Sequence, residues 1–171
     1  MGLYYAQMTY FAEAKEAVDP IIALALSADY KRRLSHIYYI SGIYHALVEE
    51  DHSKALEDME KASAIAEDQK DMISSVLTNY GFSVISTVTC DFEKAASHLQ
   101  RALDINIAAN SLWGAAVMKA NQAYFCYNQQ GRVNLAYQTS EQAIQIAETS
   151  EDILSKRTAY SCHAGSIYHN H

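Results

Sequence analysis

The sequence predicts an all-α fold, an array of antiparallel helix pairs with about nine helices in all. Three observations predict it. Phe92, Ala95, Leu99 and Ala102 stand at i, i+3, i+7 and i+10 within the stretch from Asp91 to Asn106, which is the apolar stripe of an amphipathic helix. The stripe recurs: His52, Ala55, Met59 and Ala62 lie forty residues earlier, Val133, Ala136, Ser140 and Ala143 forty-one residues later, and Phe11, Ala14, Val18 and Ile21 form a weaker copy. The column Ala14, Ala55, Ala95, Ala136 advances in steps of 41, 40 and 41, and Leu24, Ile65, Ile105 and Ile146 keep the same steps. Finally, half of the 171 residues are hydrophobic while one is Pro and six are Gly. Long helices joined by short turns suit that composition, and many-stranded sheets do not.

Each element follows in order. Gly2 to Met8 reads as the second half of a helix, and residues 11–27 as the next. Pro20 lies inside the latter, where its missing amide and its ring predict a kink or a restart near Asp19. Asp29 opens a long helix through Glu49 that carries Leu34, Ile37, Tyr38, Ser41 and Ala46 along one side. Glu49-Glu50-Asp51 ends it, and Asp51 or Ser53 caps a helix reaching about Glu67. The polar link 67–71 leads to a helix from Asp71 to Val88, and Asp91 caps the helix that follows. Asn110-Ser111 caps a helix from Leu112 to Gln130; Gly131 breaks the chain before a helix from Arg132 to Glu148; a polar turn, 148–152, precedes a last helix from Asp152 onward. Connections this short force successive helices to lie antiparallel as neighbours. The organisation expected is a single array: a half-repeat over 1–28, repeats over 29–69, 70–109 and 110–150, and a partial repeat over 151–171.

Charge and cysteine content narrow the classes of function. A net charge of −7 with one basic cluster, Lys31-Arg32-Arg33, is the wrong sign for nucleic acid as the main partner, and the cluster reads as a solvated helix start. Cys90, Cys126 and Cys162 are three, so they cannot all pair; an odd, sparse set with no leader segment points to the reducing cytoplasm, with buried thiols acting as small hydrophobes. No apolar run approaches the ~20 residues that span a bilayer. Met1-Gly2 invites myristoylation, but Ala6 stands where Ser or Thr is needed.

The phased small residues resemble those of tetratricopeptide repeats, whose unit is a helix pair with one small residue in the first helix and two in the second. The second-helix pairs are Ala55 with Ala62, Ala95 with Ala102, and Ala136 with Ala143. The first-helix residue is matched by Gly2, Gly42, Gly81, the Gln122-Ala123 step and Gly165, and Gly2-Leu3-Tyr4-Tyr5 and Gly165-Ser166-Ile167-Tyr168 fit the family's Gly-x-x-aromatic turn. The resemblance covers essentially the whole chain and implies a right-handed superhelical α-solenoid. The period of 40 to 41 departs from the family's 34 and is similar to its long-repeat branch, found in regulatory regions of bacterial signalling proteins and in adaptors. The chain starts at a first-helix Gly and stops within a later first helix, so it reads as a piece of a larger regulatory protein.

The resemblance also implies a function: a non-catalytic scaffold that grips a peptide or partner helix in the groove lined by first helices. Carried over from the Gly of each copy, the groove positions are His36, Tyr39, Ile40 and Ile43, then Ser75, Thr78, Asn79 and Phe82, then Lys119, and then Cys162, His163 and Ser166. Only Asn79 and Lys119 match parts of the family's two-carboxylate clamp, so a mixed aromatic and polar groove is expected. The alternative is a sensor region that controls a catalytic or DNA-binding domain elsewhere, through a small effector or by dimerising. Ala159, Ala164, Ile167 and Tyr168 on the last helix suggest a homodimer contact. No cofactor, metal, membrane or nucleic-acid partner is expected. His163, His169 and His171 share a terminal stretch without the converging ligand set that a metal requires, and Glu49, Glu50, Asp51 and His52 read as capping rather than acid–base chemistry.

Overall fold

The structure, a computed structural model, describes residues 1–28 and 30–168. Its helices are α1 (Gly2–Gln7), α2 (Phe11–Ser27), α3 (Lys31–Leu47), α4 (His52–Asp68), α5 (Met72–Val88), α6 (Phe92–Ala108), α7 (Leu112–Asn121), α8 (Val133–Ser150) and α9 (Ile153–Tyr168), with a π-helical segment over Gln122–Tyr127 that continues α7. No strand occurs among the described residues.

Five successive helices, α2 to α6, have the same length of 17 residues. Most turns between helices also share a left-handed residue. Thr9, Glu50, Lys70, Cys90, Asn110, Gly131 and Glu151 all take positive φ, between 49° and 68°, and from Glu50 onward they recur every 20 or 21 residues. In four of these turns the amide after the left-handed residue reaches back five residues: Tyr10 donates to the Tyr5 carbonyl, Asp71 to Ala66, Ser111 to Asn106 and Arg132 to Tyr127. This is the Schellman closure, which satisfies carbonyls that the helix end would otherwise leave unpaired. One helix plus one such turn is the period, and the forty-residue repeat is two of them.

Caps then start the helices. Asp51 and Asp91 accept the amides of Lys54 and Lys94, Asp71 accepts those of Ile73 and Ser74, and Asp152 accepts that of Ser155. Asp51 rather than Ser53 is the cap of α4. Ser111 occupies the cap position of α7 without a side-chain bond, and Asn110 is the left-handed residue before it. Asp29, expected to open α3, lies outside the described residues, and Tyr30 stands at the cap position. Helix α2 runs through Pro20 from residue 11 to 27 with no restart near Asp19.

Two compact units divide the chain, residues 1–88 and 89–171. In the first, α3 packs against α2, α4 and α5. Its core joins Leu34, Ile37, Ile40 and Ile43 of α3 to Ala14 and Val18 of α2, Ala55 and Met59 of α4 and Ile85 of α5. Met59 is the knob of this core. Its methyl would lie 2.8 Å from a Cβ placed on Gly42, and its Sδ would overlap one placed on Gly81, so both glycines are sockets for one side chain. Val18 occupies the matching place against Gly2. The Ser35 hydroxyl adds a buried bond of 2.9 Å to the Ala62 carbonyl, tying α3 to α4. The weaker first copy of the stripe fails beyond Val18: Ile21 and Leu24 are exposed, because α1 has only 6 residues and leaves the later turns of α2 uncovered.

In the second unit α8 packs against both α7 and α9. The shared core is largely alanine, with Ala116 and Ala120 of α7, Ala143 and Ala147 of α8, and Ala159 with Cys162 of α9. Methyl-sized side chains let these backbones approach closely. The π-helical segment inserts one residue, which accounts for the 21-residue step from Asn110 to Gly131 and for the drift of the small residue to the Gln122-Ala123 step. Helix α7 with this segment therefore ends at Tyr127, three residues short of the expected Gln130. The alanine column keeps its phase throughout, with Ala14, Ala55, Ala95 and Ala136 all buried.

Candidate binding faces on α3, α5, α7 and α9

In the first unit α3 and α5 pack side by side, which brings the expected residues of the two helices onto neighbouring elements. Three of them turn inward. Tyr39, Ile43 and Thr78 are buried, because positions on the α3 and α5 sides that face each other and α4 must close the core. Burial pushes the Tyr39 hydroxyl far above its ordinary value, with Tyr80 adding to the shift. The Thr78 hydroxyl donates to the Ser75 carbonyl at 3.1 Å. Ile40 is likewise a core residue.

His36, Asn79 and Phe82 remain half-buried and half open. Asn79 Nδ2 donates to the Ser75 carbonyl at 2.9 Å, and Phe82 packs along the edge of the core. His36 differs from both. Its Nδ1 and Nε2 are both enclosed and neither has a hydrogen-bond partner. Burial and the Arg33 guanidinium lower its affinity for a proton, while Asp71 at the start of α5 acts in the opposite sense. The ring is thus held neutral near pH 7, with one donor and one acceptor uncommitted. An enclosed polar group without a partner costs on the order of 1–3 kcal/mol, and a ligand that supplies the partner recovers it.

In the second unit, Lys119 of α7 donates to Gln142 Oε1 of α8 at 2.6 Å, and burial lowers its proton affinity. His163 of α9 places Nδ1 2.8 Å from Ser140 Oγ, over the Tyr137 ring at 5.2 Å between centroids. The Ser140 hydroxyl already donates to the Tyr137 carbonyl at 2.7 Å, so its single hydrogen is committed and the imidazole must be the donor, Nδ1–H. This is the reverse of a nucleophile and its base, where the hydroxyl would donate to the ring. Cys162 is buried and its thiol pushed up to about 11, and Cys126 to about 12, so both are unreactive; Cys90, in contrast to the buried thiols expected, is exposed on its turn. Ser166 is buried and donates to the Cys162 carbonyl.

One polar constellation escaped the sequence reading. His45 and Asp58 are both buried between α3 and α4, with Nδ1 2.9 Å from Asp58 Oδ2 and Nε2 3.6 Å from Glu49 Oε2. The short contact is poorly aligned for a hydrogen bond, which leaves it chiefly electrostatic. Burial raises the Asp58 carboxyl, and His45 and Lys61 offset only part of that rise. Neither residue lies on a repeated column, so periodicity could not single them out.

Among the described residues, no group of three His, Cys, Asp or Glu side chains is arranged to hold a metal ion, and no helix is long and apolar enough to cross a membrane. His169 and His171 lie outside the described residues. Lys31 and Arg33 are exposed at the start of α3, as a solvated helix start requires. Asp51 is spent on its cap, and Glu49 lies 3.7 Å from the Lys54 ammonium. No protein-family model matches the chain, and no curated protein does.

Proposed function

We propose that the chain is a non-catalytic scaffold of the tetratricopeptide type, with its helix pairs wound into a right-handed superhelical array and its first helices presented to a peptide or partner helix. The observation that carries this reading is His36: a neutral imidazole, enclosed, with both nitrogens unpartnered, on the helix that packs against α5, where Asn79 and Phe82 are half open. Once a bound peptide turns the ring outward, it accepts a peptide amide at one nitrogen and donates to a peptide carbonyl at the other, while Phe82 offers apolar area. Lys119 and His163 are the half-open polar positions on α7 and α9. The internal hydrogen bonds of Ser140 and His163 favour binding over catalysis, since every hydrogen of that pair is already placed.

A regulatory role by self-association is the second reading, and one comparison favours it. Ala116 and Ala120 of α7 and Ala123 of the π-helical segment are buried, yet Arg157, Ser161 and Ala164, their counterparts forty-one residues later on α9, are exposed. A face where Ser161 and Ala164 stand open beside Arg157 suits a helix from a second copy or from a domain that the array controls, in the cytoplasm.

The first reading is tested by selecting random peptides displayed on phage against the whole chain. Selected peptides should share a recognisable pattern and lose about tenfold in affinity against His36→Phe or Phe82→Glu. Peptides that bind these variants and the parent equally would remove the proposed face.

A further inference from the structure

His36 is enclosed in a way that only one of its charge states tolerates. Both ring nitrogens are closed off from solvent and have no hydrogen-bond partner. A neutral imidazole survives this with one donor and one acceptor unused, but an imidazolium would bring a full charge and two N–H donors into a place with nothing to receive them. Arg33, three residues earlier and so on the same side of α3, also acts against the cation. Protonation in place is opposed by burial and by charge together.

The residue as a whole is only half-buried, so a change of side-chain rotamer brings the ring out. On the α5 side stands Asp71, whose charge favours the cation. Its carboxylate already caps α5: Oδ1 accepts the amides of Ile73 and Ser74 at 3.0 and 3.3 Å, and Oδ2 accepts the Ser74 hydroxyl at 2.8 Å. A carboxylate has about four acceptor positions, so one on Oδ2 is left for an imidazolium N–H. Because α3 packs against α5, such a bond would join the two helices. Lys31 at the start of α3 and Asp68 at the end of α4 lie 3.9 Å apart and offset each other, which leaves Arg33 and Asp71 as the charges that act on the ring among the described residues.

We propose that His36 is a proton-operated latch between α3 and α5: the neutral ring lies enclosed, and the protonated ring swings out to bond Asp71 Oδ2. The latch needs no ligand, so it goes beyond the peptide-binding reading and stands whether or not that reading holds. Burial and Arg33 hold the proton affinity of the enclosed ring below its ordinary value, so the switch falls on the acid side of that value. The enclosed state contributes stability that is complete above the ordinary His value and is lost as pH falls through the lowered one. Acidification thus replaces a closed surface on α3 with an ion pair and empties the place that the ring filled.

Ring and backbone NMR of the whole chain from about pH 7.5 to about pH 5 tests the latch, with the His36 signals identified by their loss in His36→Phe. The ring should titrate below the ordinary His value. Overhauser contacts from the ring to the Asp71 Cβ hydrogens should appear only in the acid form, and the Ile73 and Ser74 amides should move with the same midpoint. Asp71→Asn, which keeps a capping side chain, should lower the proton affinity of the ring by about tenfold, and Arg33→Gln on the exposed helix start should raise it. Should His36→Phe not fold, these two variants identify the ring by moving its midpoint in opposite directions. Overhauser contacts that stay the same across the titration would overturn the proposal, as would a midpoint at the ordinary value or one that neither variant moves. A ring that leaves its place without meeting Asp71 would overturn it too.

Discussion

Lys70 shows how single residues set the turns. It holds φ at 49°, where a side chain costs about 1–2 kcal/mol and glycine costs nothing. Lys70→Gly should therefore stabilise the first unit by roughly 0.5–1 kcal/mol in denaturant unfolding, after the extra freedom of glycine in the unfolded chain is deducted. Asp58 gives the pH dependence. Its carboxyl is raised in the folded protein, chiefly by burial, so the fold favours the protonated form. The stability this confers is complete below the ordinary Asp value and is lost as pH rises through the raised value. Unfolding curves of Asp58→Asn and the parent should accordingly diverge in favour of the variant as pH is taken upward through that window, and curves that stay parallel would show the carboxyl to be unperturbed. Of these residue-level features, the aspartate caps could be read in the sequence. The left-handed turns could not, because Thr9, Glu50, Lys70 and Cys90 carry none of the glycine signal that marks Gly131. The His45–Asp58 contact was hidden for a different reason, since it joins two helices at positions that no repeat duplicates.

At the scale of elements, the knob-and-socket contact of Met59 with Gly42 and Gly81 fixes how α3, α4 and α5 meet. Gly81→Ala forces the flexible end of Met59 aside and should cost about 1–3 kcal/mol. Combined with Met59→Ala, which by itself opens a cavity worth about 2–5 kcal/mol, the new methyl occupies part of the space, so the double variant should lose less than the sum. In the second unit Leu99 is buried as its stripe requires, and Leu99→Ala should cost about 2–5 kcal/mol in thermal or denaturant unfolding. A wild-type melt for that variant would remove Leu99 from the core. Helix number, boundaries within about two residues except the end before Gly131, and the alanine column were legible in the sequence, because an apolar period near 3.6 inside a forty-residue repeat is a strong and redundant signal. The π-helical segment was not. An inserted residue appears in sequence only as a small drift in spacing, and here it fell at Gln122-Ala123, where an alanine-rich stretch fits either register.

For the whole molecule, each unit holds a pair of neighbouring helices, α3 with α5 and α7 with α9, whose half-open side chains are separated by buried ones, and binding is proposed on that alternation. Sequence reasoning placed twelve residues on these faces, and the structure turns Tyr39, Ile40, Ile43, Thr78, Cys162 and Ser166 into the core. The carry-over from glycine positions fixes a register to within about a residue, and one residue on a helix is a rotation of about 100°, enough to exchange inside for outside. His36, Asn79, Phe82, Lys119 and His163 survive that rotation as half-open positions. The decisive measurement is an amide and side-chain NMR titration of the whole chain with the tightest peptide recovered by phage selection. The account predicts saturable shifts at His36, Asn79 and Phe82, including a change at the His36 ring nitrogens as they gain partners. Shifts confined to the outer sides of α4, α6 and α8, with the His36 ring unmoved, would contradict it.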